Sequence, residues 1–391
     1  MVSFSNDCGP GRGTRSVQST QATGPRVGVD NRKALLFPRQ PGASRQDDGV
    51  VQRADRGFVP AVTHPAYPSG KGPVLCLDEA HHDYHRVAGR FRAFCDLARL
   101  DGYRVRSLRQ AFSSSSLKSC GILVIANALA AENVHHWRRP VHSAFSGDEI
   151  AAVRQWVIRG GRLLLIADHM PFSGSSAGLA RAFGIHFLDG FVFAMQGGTR
   201  RKGILEFRRR DRTLADHAVT RGRNASEFVD QVTTFTGQAF TRDAEAMARL
   251  KHAVSGPVHF SPLLLFGPSV VSFQPAVAWR FSPKTPRVNV TGWWQGAVAH
   301  VGAGRLALFG EAAMFTAQVQ CRRRRHPSVP GVSVSMGATA QASAGAGAAM
   351  HAKAGRPTVR RRCRAMGLGH PKARQNPEFI LNLLHWLSGI L

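Results

Sequence analysis

Long hydrophobic runs are missing from this 391-residue sequence, and so is the apolar centre of an export signal. A transmembrane helix needs about 18 or more apolar residues in a row, and no stretch approaches that length. The first residues, MVSFSNDCGPGRGTRS, lack the apolar segment of a signal peptide. The sequence therefore predicts a soluble chain without a transmembrane segment. Its apolar content of 43% is ample for a packed core.

Acidic residues are scarce, with 24 Asp and Glu against 52 Lys and Arg, so the net charge is +28. Nucleic-acid binding is one explanation, and arginine-rich solvated tails are the other. Residues 321–375 hold twelve Lys or Arg and no Asp or Glu, so much of the excess lies in one low-complexity segment. Because no known nucleic-acid-binding module accompanies this segment, nucleic acid is the less favoured partner.

Cysteine is also rare, and its spacing contains no C-x-x-C pair. Three of the six cysteines lie in apolar surroundings of predicted strands or helices. Buried cysteines without metal-ligand spacing are typical of reduced thiols. We therefore predict no disulfide framework and no zinc site among the following cysteines: Cys8, Cys76, Cys95, Cys120, Cys321 and Cys363.

Several catalytic motifs are absent. No G-x-S-x-G turn follows a strand, which disfavours an α/β-hydrolase serine nucleophile. The phosphate loop G-x-x-x-x-G-K-[ST] and the zinc-protease motif H-E-x-x-H are missing as well. The sequence thus argues against an α/β-hydrolase, a P-loop phosphate-binding protein and a zinc protease, and it indicates no particular cofactor.

What the sequence does contain is organised around residues 160–172, GGRLLLIADHMPF. A short apolar run bounded by glycines and polar residues is typical of a strand buried on both faces of a parallel sheet. Similar runs occur at 74–77 (VLCL), 122–126 (ILVIA) and 305–309 (RLALF), with predicted helices between the first three of these four runs. This alternation predicts an α/β fold with three layers, in which helices cover both faces of a mostly parallel sheet.

The domain organisation follows from composition. Residues 1–57 are rich in Gly, Ser, Arg, Gln and Pro without periodicity, and we predict a disordered extension. Residues 58–391 are predicted to form the α/β domain. A basic, Ala- and Gly-rich stretch at about 322–365 interrupts this domain, and its small apolar content predicts a low-complexity insertion without a packed core.

Polar side chains cluster where the predicted strands end. The candidate ligand-binding residues are Asp78, Glu79, His81, His82, Asn127, Asp168, His169 and Glu311. The carboxyl ends of parallel strands share one edge, where ligands bind in open α/β sheets. Carboxylates and imidazoles together suit a divalent metal or acid–base chemistry, with His81, His82, Asp168 and His169 as candidate metal ligands. The alternative is structural, because polar residues at strand ends commonly cap a helix or hold a loop.

A resemblance to a known family rests on motifs that occur in one order: LDEAHHDYH (77–85), ILVIANAL (122–129), GGRLLLIADHMPF (160–172), LADHAVTRGR (214–223), GRLALFGEAAMFTAQ (304–318) and QNPEFILNLLHWLSG (375–389). As a set they resemble bacterial proteins that carry the domain of unknown function 4350. The resemblance implies a flavodoxin-like fold of the class I glutamine-amidotransferase-like group. Similar proteins also suggest a location in the bacterial envelope.

The resemblance implies a fold rather than a reaction. Amidotransferases of this group use a cysteine nucleophile in a tight turn after a central strand. Here that turn holds Asp168 and His169, so glutamine hydrolysis by a thiolate is not expected.

Three functions are therefore considered. The leading hypothesis is binding of a small ligand or protein partner at the strand-end edge. The second is a metal-assisted hydrolase using Asp78, His81, His82, Asp168, His169 and Glu311. The third is nucleic-acid binding through residues 322–364.

Overall fold

The computed structural model describes residues 50–201, 203–322 and 362–391, and they form an α/β fold. The first nine strands are β1 (Val50–Ala54), β2 (Val74–Asp78), β3 (Arg104–Leu108), β4 (Ile122–Ala126), β5 (Arg162–Ile166), β6 (Ile185–Phe187), β7 (Phe191–Gln196), β8 (Thr199–Arg200) and β9 (Leu205–Arg208). They are followed by β10 (Gln231–Thr234), β11 (Phe240–Arg242), β12 (Val258–Leu265), β13 (Val270–Phe273), β14 (Arg287–Asn289), β15 (Trp294–Val301), β16 (Gly304–Phe309), β17 (Ala317–Arg322) and β18 (Arg362–Gly367).

The α-helices of the described residues are α1 (Arg92–Leu100), α2 (Ser114–Leu117), α3 (Gly147–Ile158), α4 (Phe172–Ala182), α5 (Ala218–Arg221), α6 (Ala244–Ala253) and α7 (Asn376–Ser388). In this part of the chain, no helix has both the length and the apolar character that crossing a bilayer requires. Short 3₁₀ turns follow β4 and β16, at Ala131–Asn133 and Ala313–Phe315.

The largest sheet contains the four predicted apolar strands as neighbours. Its order is β3-β2-β4-β5-β16-β15-β11-β6, with β12 pairing to β15. Strands β3, β2, β4, β5 and β16 all run parallel, as predicted for β2, β4, β5 and β16. Apart from residues at or next to their start, β2, β4, β5 and β16 are buried on both faces, which is why continuous apolar runs encode them, whereas the edge strand β3 is partly exposed.

The rest of this sheet is antiparallel, which corrects the prediction of a mostly parallel sheet. β15 pairs antiparallel with β16, β12 and β11, and β11 pairs antiparallel with β6. The cause is a tight connection at Gly302-Ala303. Val301 and Gly304 face each other across a two-residue turn, and Gly302 has a φ of +61°. So short a loop joins only antiparallel strands, because a parallel crossover needs a dozen or more residues.

The core lies on both faces of this sheet. Leu164 packs on one side with residues of α1 and α7, whereas Leu163 and Leu165 pack on the other side with α3 and α4. Successive side chains of a strand point to opposite faces, so one apolar strand supplies both cores. Helices therefore hold β5 from both sides and position the turn that follows it.

The cysteine prediction is wrong for four residues. Disulfides join Cys76 to Cys120 and Cys321 to Cys363, while Cys95 is a buried free thiol. Cys321 and Cys363 are directly opposite in the antiparallel pair β17 and β18. The cysteines of each pair are more than forty residues apart in sequence, so only the tertiary structure brings them together. Cys8 lies outside the described residues.

The predicted unstructured ranges are shorter than expected at two points. β1 lies within the range 1–57, and most of β18 lies within the range 322–365. Both strands pair antiparallel with β17 in a three-stranded sheet. Their hydrogen-bond partners are distant in sequence, so local composition did not reveal them. The remaining parts of these ranges, 1–49 and 323–361, lie outside the described residues.

Candidate functional site

The candidate site lies at the edge where the parallel strands β2, β4, β5 and β16 end. Asp78 is the last residue of β2, and Asn127 follows β4 directly. Asp168 stands two residues after β5, and Glu311 stands two residues after β16. Because neighbouring parallel strands end at one edge, these side chains belong to the same rim. They form two groups with different partners, and His169 lies beside the second.

The first group is built around His81. Its Nδ1 lies 2.8 Å from Asp78 Oδ2, and its Nε2 lies 2.7 Å from Glu149 Oε1. The His81 backbone N–H donates to Asp83 Oδ2 at 3.2 Å. The His81 ring packs between the Phe112 and Phe145 rings, with centroid separations of 4.5 and 4.9 Å. The imidazole is therefore held between carboxylates inside an apolar clamp.

Electrostatics in this group reflect burial and the close carboxylates. Burial lowers the pKa of His81, but Asp78 and Glu149 outweigh it, so the pKa is raised. Burial, together with the negative charge of Asp78, raises the pKa of Asp83 well above its usual value. Burial opposes ionisation of Glu149, but hydrogen bonds from Ser146, His81 and Phe112 lower its pKa to about 2. His81 is thus easier to protonate than a free imidazole, and the carboxyls around it differ in acidity.

The second group pairs Asp168 with Glu311. Asp168 Oδ1 accepts from the His169 backbone N–H at 2.7 Å. Glu311 accepts from the backbone N–H groups of Ala313 and Met314 at 2.6 and 2.8 Å, and so caps the 3₁₀ turn. Burial raises the pKa of both carboxyls, and the charge of Asp168 raises that of Glu311 further. Burial and the mutual repulsion of the two carboxylates therefore both oppose their ionisation.

His169 faces an aromatic wall. Its ring stacks on Phe191 at a centroid distance of 4.5 Å, and Trp279 meets it edge-on at 4.8 Å. Nδ1 lies 2.8 Å from the Met170 carbonyl oxygen, which can only accept, so Nδ1 carries a proton. No described residue bonds Nε2, which in the neutral ring is an acceptor. This imidazole is therefore positioned by its neighbours with one nitrogen left for a ligand or water.

Trp279 is unusual in two ways. Its side chain is 43% exposed although it lies against His169 and Phe191. Its backbone has a φ of +64°, a left-handed conformation that bulky residues rarely adopt. Such strain persists only where surrounding structure maintains it, and it concentrates at ligand-binding sites.

The remaining predicted residues have structural partners or stand apart. Glu79 accepts from the Val87 backbone N–H at 2.9 Å and pairs with Arg109. Asn127 accepts from the Asp168 backbone N–H at 2.9 Å. His82 is exposed, with a φ of +49°. For Glu79, Asn127 and Glu311 the structural alternative describes the observed contacts.

Potential metal ligands come together at one place among the described residues. Donor atoms of Asp78, His81 and Asp83 all lie within 4.8 Å of one another. Of the six residues considered for a metal-assisted hydrolase, only Asp78 and His81 belong to this group. His82, Asp168, His169 and Glu311 do not, so that set does not converge on a common point.

Sequence reasoning missed three residues of the site: Asp83, Glu149 and Trp279. Asp83 was within reach, because it stands in the same EAHHDYH stretch as His81. The sequence S-G-D-E at 146–149 has the spacing of a capping box, which predicts a helix start and gives Glu149 only the capping role that it does have. Trp279 lies far from any predicted strand end, and no local pattern connects it with His169.

Comparisons with known proteins add little. No family model matches the chain, and no curated protein matches it. Among solved structures, the mmIFT52 N-terminal domain is 13% identical with a TM-score of 0.41, covering 62% of this chain and 88% of that chain. A protein described as ThuA-like from Bacteroides uniformis is 13% identical with a TM-score of 0.34, covering 64% and 86%. A second ThuA-like protein, from Parabacteroides merdae, is 8% identical with a TM-score of 0.29, covering 61% and 79%. These scores are too low to carry an argument about fold or activity.

Proposed function

We propose that this chain is an amidotransferase-like α/β protein without thiolate chemistry, which binds a small organic ligand at the strand-end edge between His169 and Trp279. The motif order described above supports placing it with the domain of unknown function 4350 and its flavodoxin-like fold. The single observation that supports the ligand site concerns Trp279. Its side chain is exposed, its backbone is in the left-handed conformation, and it lies beside the His169 imidazole, whose Nε2 no described residue bonds.

The cysteines support the absence of thiolate chemistry. Asp168 and His169 occupy the turn after β5 where an amidotransferase nucleophile would stand. Cys76 and Cys120 are joined in a disulfide. Burial raises the pKa of Cys95 to about 12, so this thiol in α1 is protonated and unreactive at neutral pH.

A small ligand fits the surface better than a protein partner. Stable protein interfaces bury roughly 800 Å² on each side around a cluster of apolar anchors. The described chain exposes few large apolar residues: Val59, Leu100, Phe228, Trp279 and Ile390. One exposed aromatic side chain next to polar groups is typical of a site for a small molecule with a flat ring or an apolar face.

Metal-assisted hydrolysis by the six-residue set receives no such support. Asp78 and His81 belong to the first group, whereas Asp168 and Glu311 form the second and His82 is exposed, and Glu311 already accepts backbone N–H groups in the turn after β16. A hydrolytic metal centre needs its ligands around one point, with an open position for water.

The test is a thermal-shift screen of nucleosides, sugars and aromatic acids on the purified full chain. We expect at least one compound to raise the unfolding temperature of the wild type by about 2 °C or more. The effect should disappear in Trp279→Ala and in His169→Asn. It should remain in Phe228→Ala, which removes an aromatic side chain of similar exposure, 40%, elsewhere on the surface. A screen without any stabilising compound, or an equal response in all variants, would contradict the proposal.

A further inference from the structure

Three potential metal ligands stand within six residues on the turn that follows β2. Asp78 ends the strand, and His81 and Asp83 come next in the sequence D-E-A-H-H-D. One donor atom from each lies within 4.8 Å of the other two, and all three residues are buried. One imidazole and two carboxylates form a mixed nitrogen and oxygen donor set, which divalent transition metals accept.

Asp83 supplies a second and separate observation. Its side chain is 3% exposed, yet Oδ1 has no hydrogen-bond partner among the described residues. The other oxygen accepts the His81 backbone N–H at 3.2 Å, and the Asp78 carboxyl is an immediate neighbour of the Asp83 side chain. A buried carboxylate oxygen without a donor is costly, and buried charges are normally paired or bound to a metal. In the described part of the chain no Lys or Arg forms an ion pair with the Asp83 carboxyl, and Arg86 donates to its backbone carbonyl oxygen, so a cation would satisfy Oδ1.

Glu149 provides the outer support that metal-binding histidines usually have. It lies 2.7 Å from His81 Nε2, so that nitrogen donates its proton to Glu149 and Nδ1 faces Asp78. Glu149 itself accepts from the backbone N–H groups of Ser146 at 3.0 Å and Phe112 at 3.1 Å. A histidine whose second nitrogen donates to a fixed carboxylate has its tautomer and orientation set for metal binding.

We propose that Asp78, His81 and Asp83 bind one divalent transition-metal ion, with Zn²⁺ or Mn²⁺ as the class, and that Glu149 is a positioning residue for His81. His81 Nδ1 and Asp78 Oδ2, two of the proposed ligand atoms, are 2.8 Å apart in a hydrogen bond. On binding, the ion takes the place of the proton between them. The imidazole ligand favours these ions over Mg²⁺, which prefers oxygen donors and keeps its water. The site is independent of ligand binding at His169 and Trp279.

The test is calorimetric titration of the EDTA-treated, dialysed full chain with ZnCl₂, MnCl₂ and MgCl₂. We expect one Zn²⁺ or Mn²⁺ per chain, bound at least about tenfold more tightly than Mg²⁺. Asp83→Asn should weaken this binding at least about tenfold, and Glu149→Gln about 10–100-fold. His82→Asn is the matched control, because it removes the adjacent exposed imidazole, and Asn tolerates its left-handed backbone. Its affinity should equal that of the wild type.

Thermal unfolding in EDTA separates loss of the site from loss of the fold. Without metal, Asp83→Asn should unfold at the wild-type temperature or above it, because the change removes an unpaired buried carboxylate. Added Zn²⁺ should then stabilise the wild type and His82→Asn but not Asp83→Asn. The proposal is overturned if no ion binds the wild type, if Asp83→Asn binds as tightly, or if His82→Asn loses as much affinity as Asp83→Asn.

Discussion

At the scale of single residues, several carboxyl groups of this chain are wholly or partly removed from water, and they differ in whether a positively charged partner offsets the loss of hydration. Asp101 is paired with His385, whose Nε2 lies 2.7 Å away. Glu227 pairs with Arg223. Among the described residues Glu378, in the first turn of α7, forms no ion pair: burial, and then the negative charge of Glu227, raise its pKa to about 7. This carboxyl is therefore half protonated near neutral pH.

This shift predicts a stability that depends on pH. Between pH 4.5 and about 7 the folded state holds a proton on Glu378 that the unfolded state has released, so stability falls as the pH rises through this window. Glu378→Gln removes the titration. We expect it to be more stable than the wild type at pH 8, by about 1 kcal/mol after discounting for partial exposure, and equal near pH 4.5.

Urea unfolding at pH 4.5 and pH 8 measures the Glu378 effect. Glu245→Gln is the matched control, since Glu245 also lies in the first turn of a helix, α6, but is 71% exposed. It should bring no gain at pH 8. An unchanged or lower stability of Glu378→Gln at pH 8 would show that its carboxylate ionises without penalty in the folded protein.

At the scale of elements, α3 connects helix formation with the candidate site. The Ser146 side chain accepts from the Glu149 backbone N–H at 3.3 Å, and the Glu149 carboxylate accepts from the Ser146 backbone N–H at 3.0 Å. The same Glu149 reaches His81 in the turn after β2. A capping box that was read from the sequence as a helix signal therefore also positions the imidazole of the site.

Ser146→Ala tests this connection. Loss of the cap should cost about 1 kcal/mol of unfolding free energy, measured by urea denaturation. Ser113→Ala removes the equivalent cap of the four-residue α2 and should cost less, because that helix buries only Leu117. In the NMR spectrum, the His81 ring resonances should shift in Ser146→Ala and stay in place in Ser113→Ala. An unshifted His81 in both variants would mean that the cap and the site are independent.

At the scale of the whole molecule, strands distant in sequence bring the two ends of residues 323–361 together. Arg322 and Arg362 are opposite each other in the antiparallel pair β17 and β18, and the Cys321–Cys363 disulfide joins the same strands. The described residues on either side of this segment are therefore adjacent in space.

Replacing residues 323–361 by Asn-Gly, a pair that suits a two-residue hairpin turn, is therefore expected to leave the unfolding temperature within a few degrees of the wild type. We also expect DNA affinity at physiological salt to be unchanged, because we interpret the basic residues of this segment as solvated side chains and not as a nucleic-acid-binding surface. Nucleic-acid binding requires the opposite: lower affinity and a shallower dependence of log K on log salt after the deletion. Fluorescence anisotropy with a DNA duplex at several salt concentrations distinguishes the two.

The sequence by itself determined the parallel half of the central sheet and the edge at which polar groups gather. Continuous apolar runs such as Ile122–Ala126 are stable only when they are buried on both faces, and the polar residue after each run marks its end. Local chemistry was also sufficient for the start of α3, because the Ser146 and Glu149 capping box involves residues three apart.

Only the tertiary structure decided which of these polar groups meet. The antiparallel strands beyond β16, the two disulfides and the contact between His81 and Glu149 all join segments far apart in the chain. The approach of Trp279 to His169 is of the same kind. Local propensity constrains a residue through its sequence neighbours, whereas these contacts depend on how whole strands and helices pack. That packing separated one predicted rim into a carboxylate–imidazole group and an aromatic one.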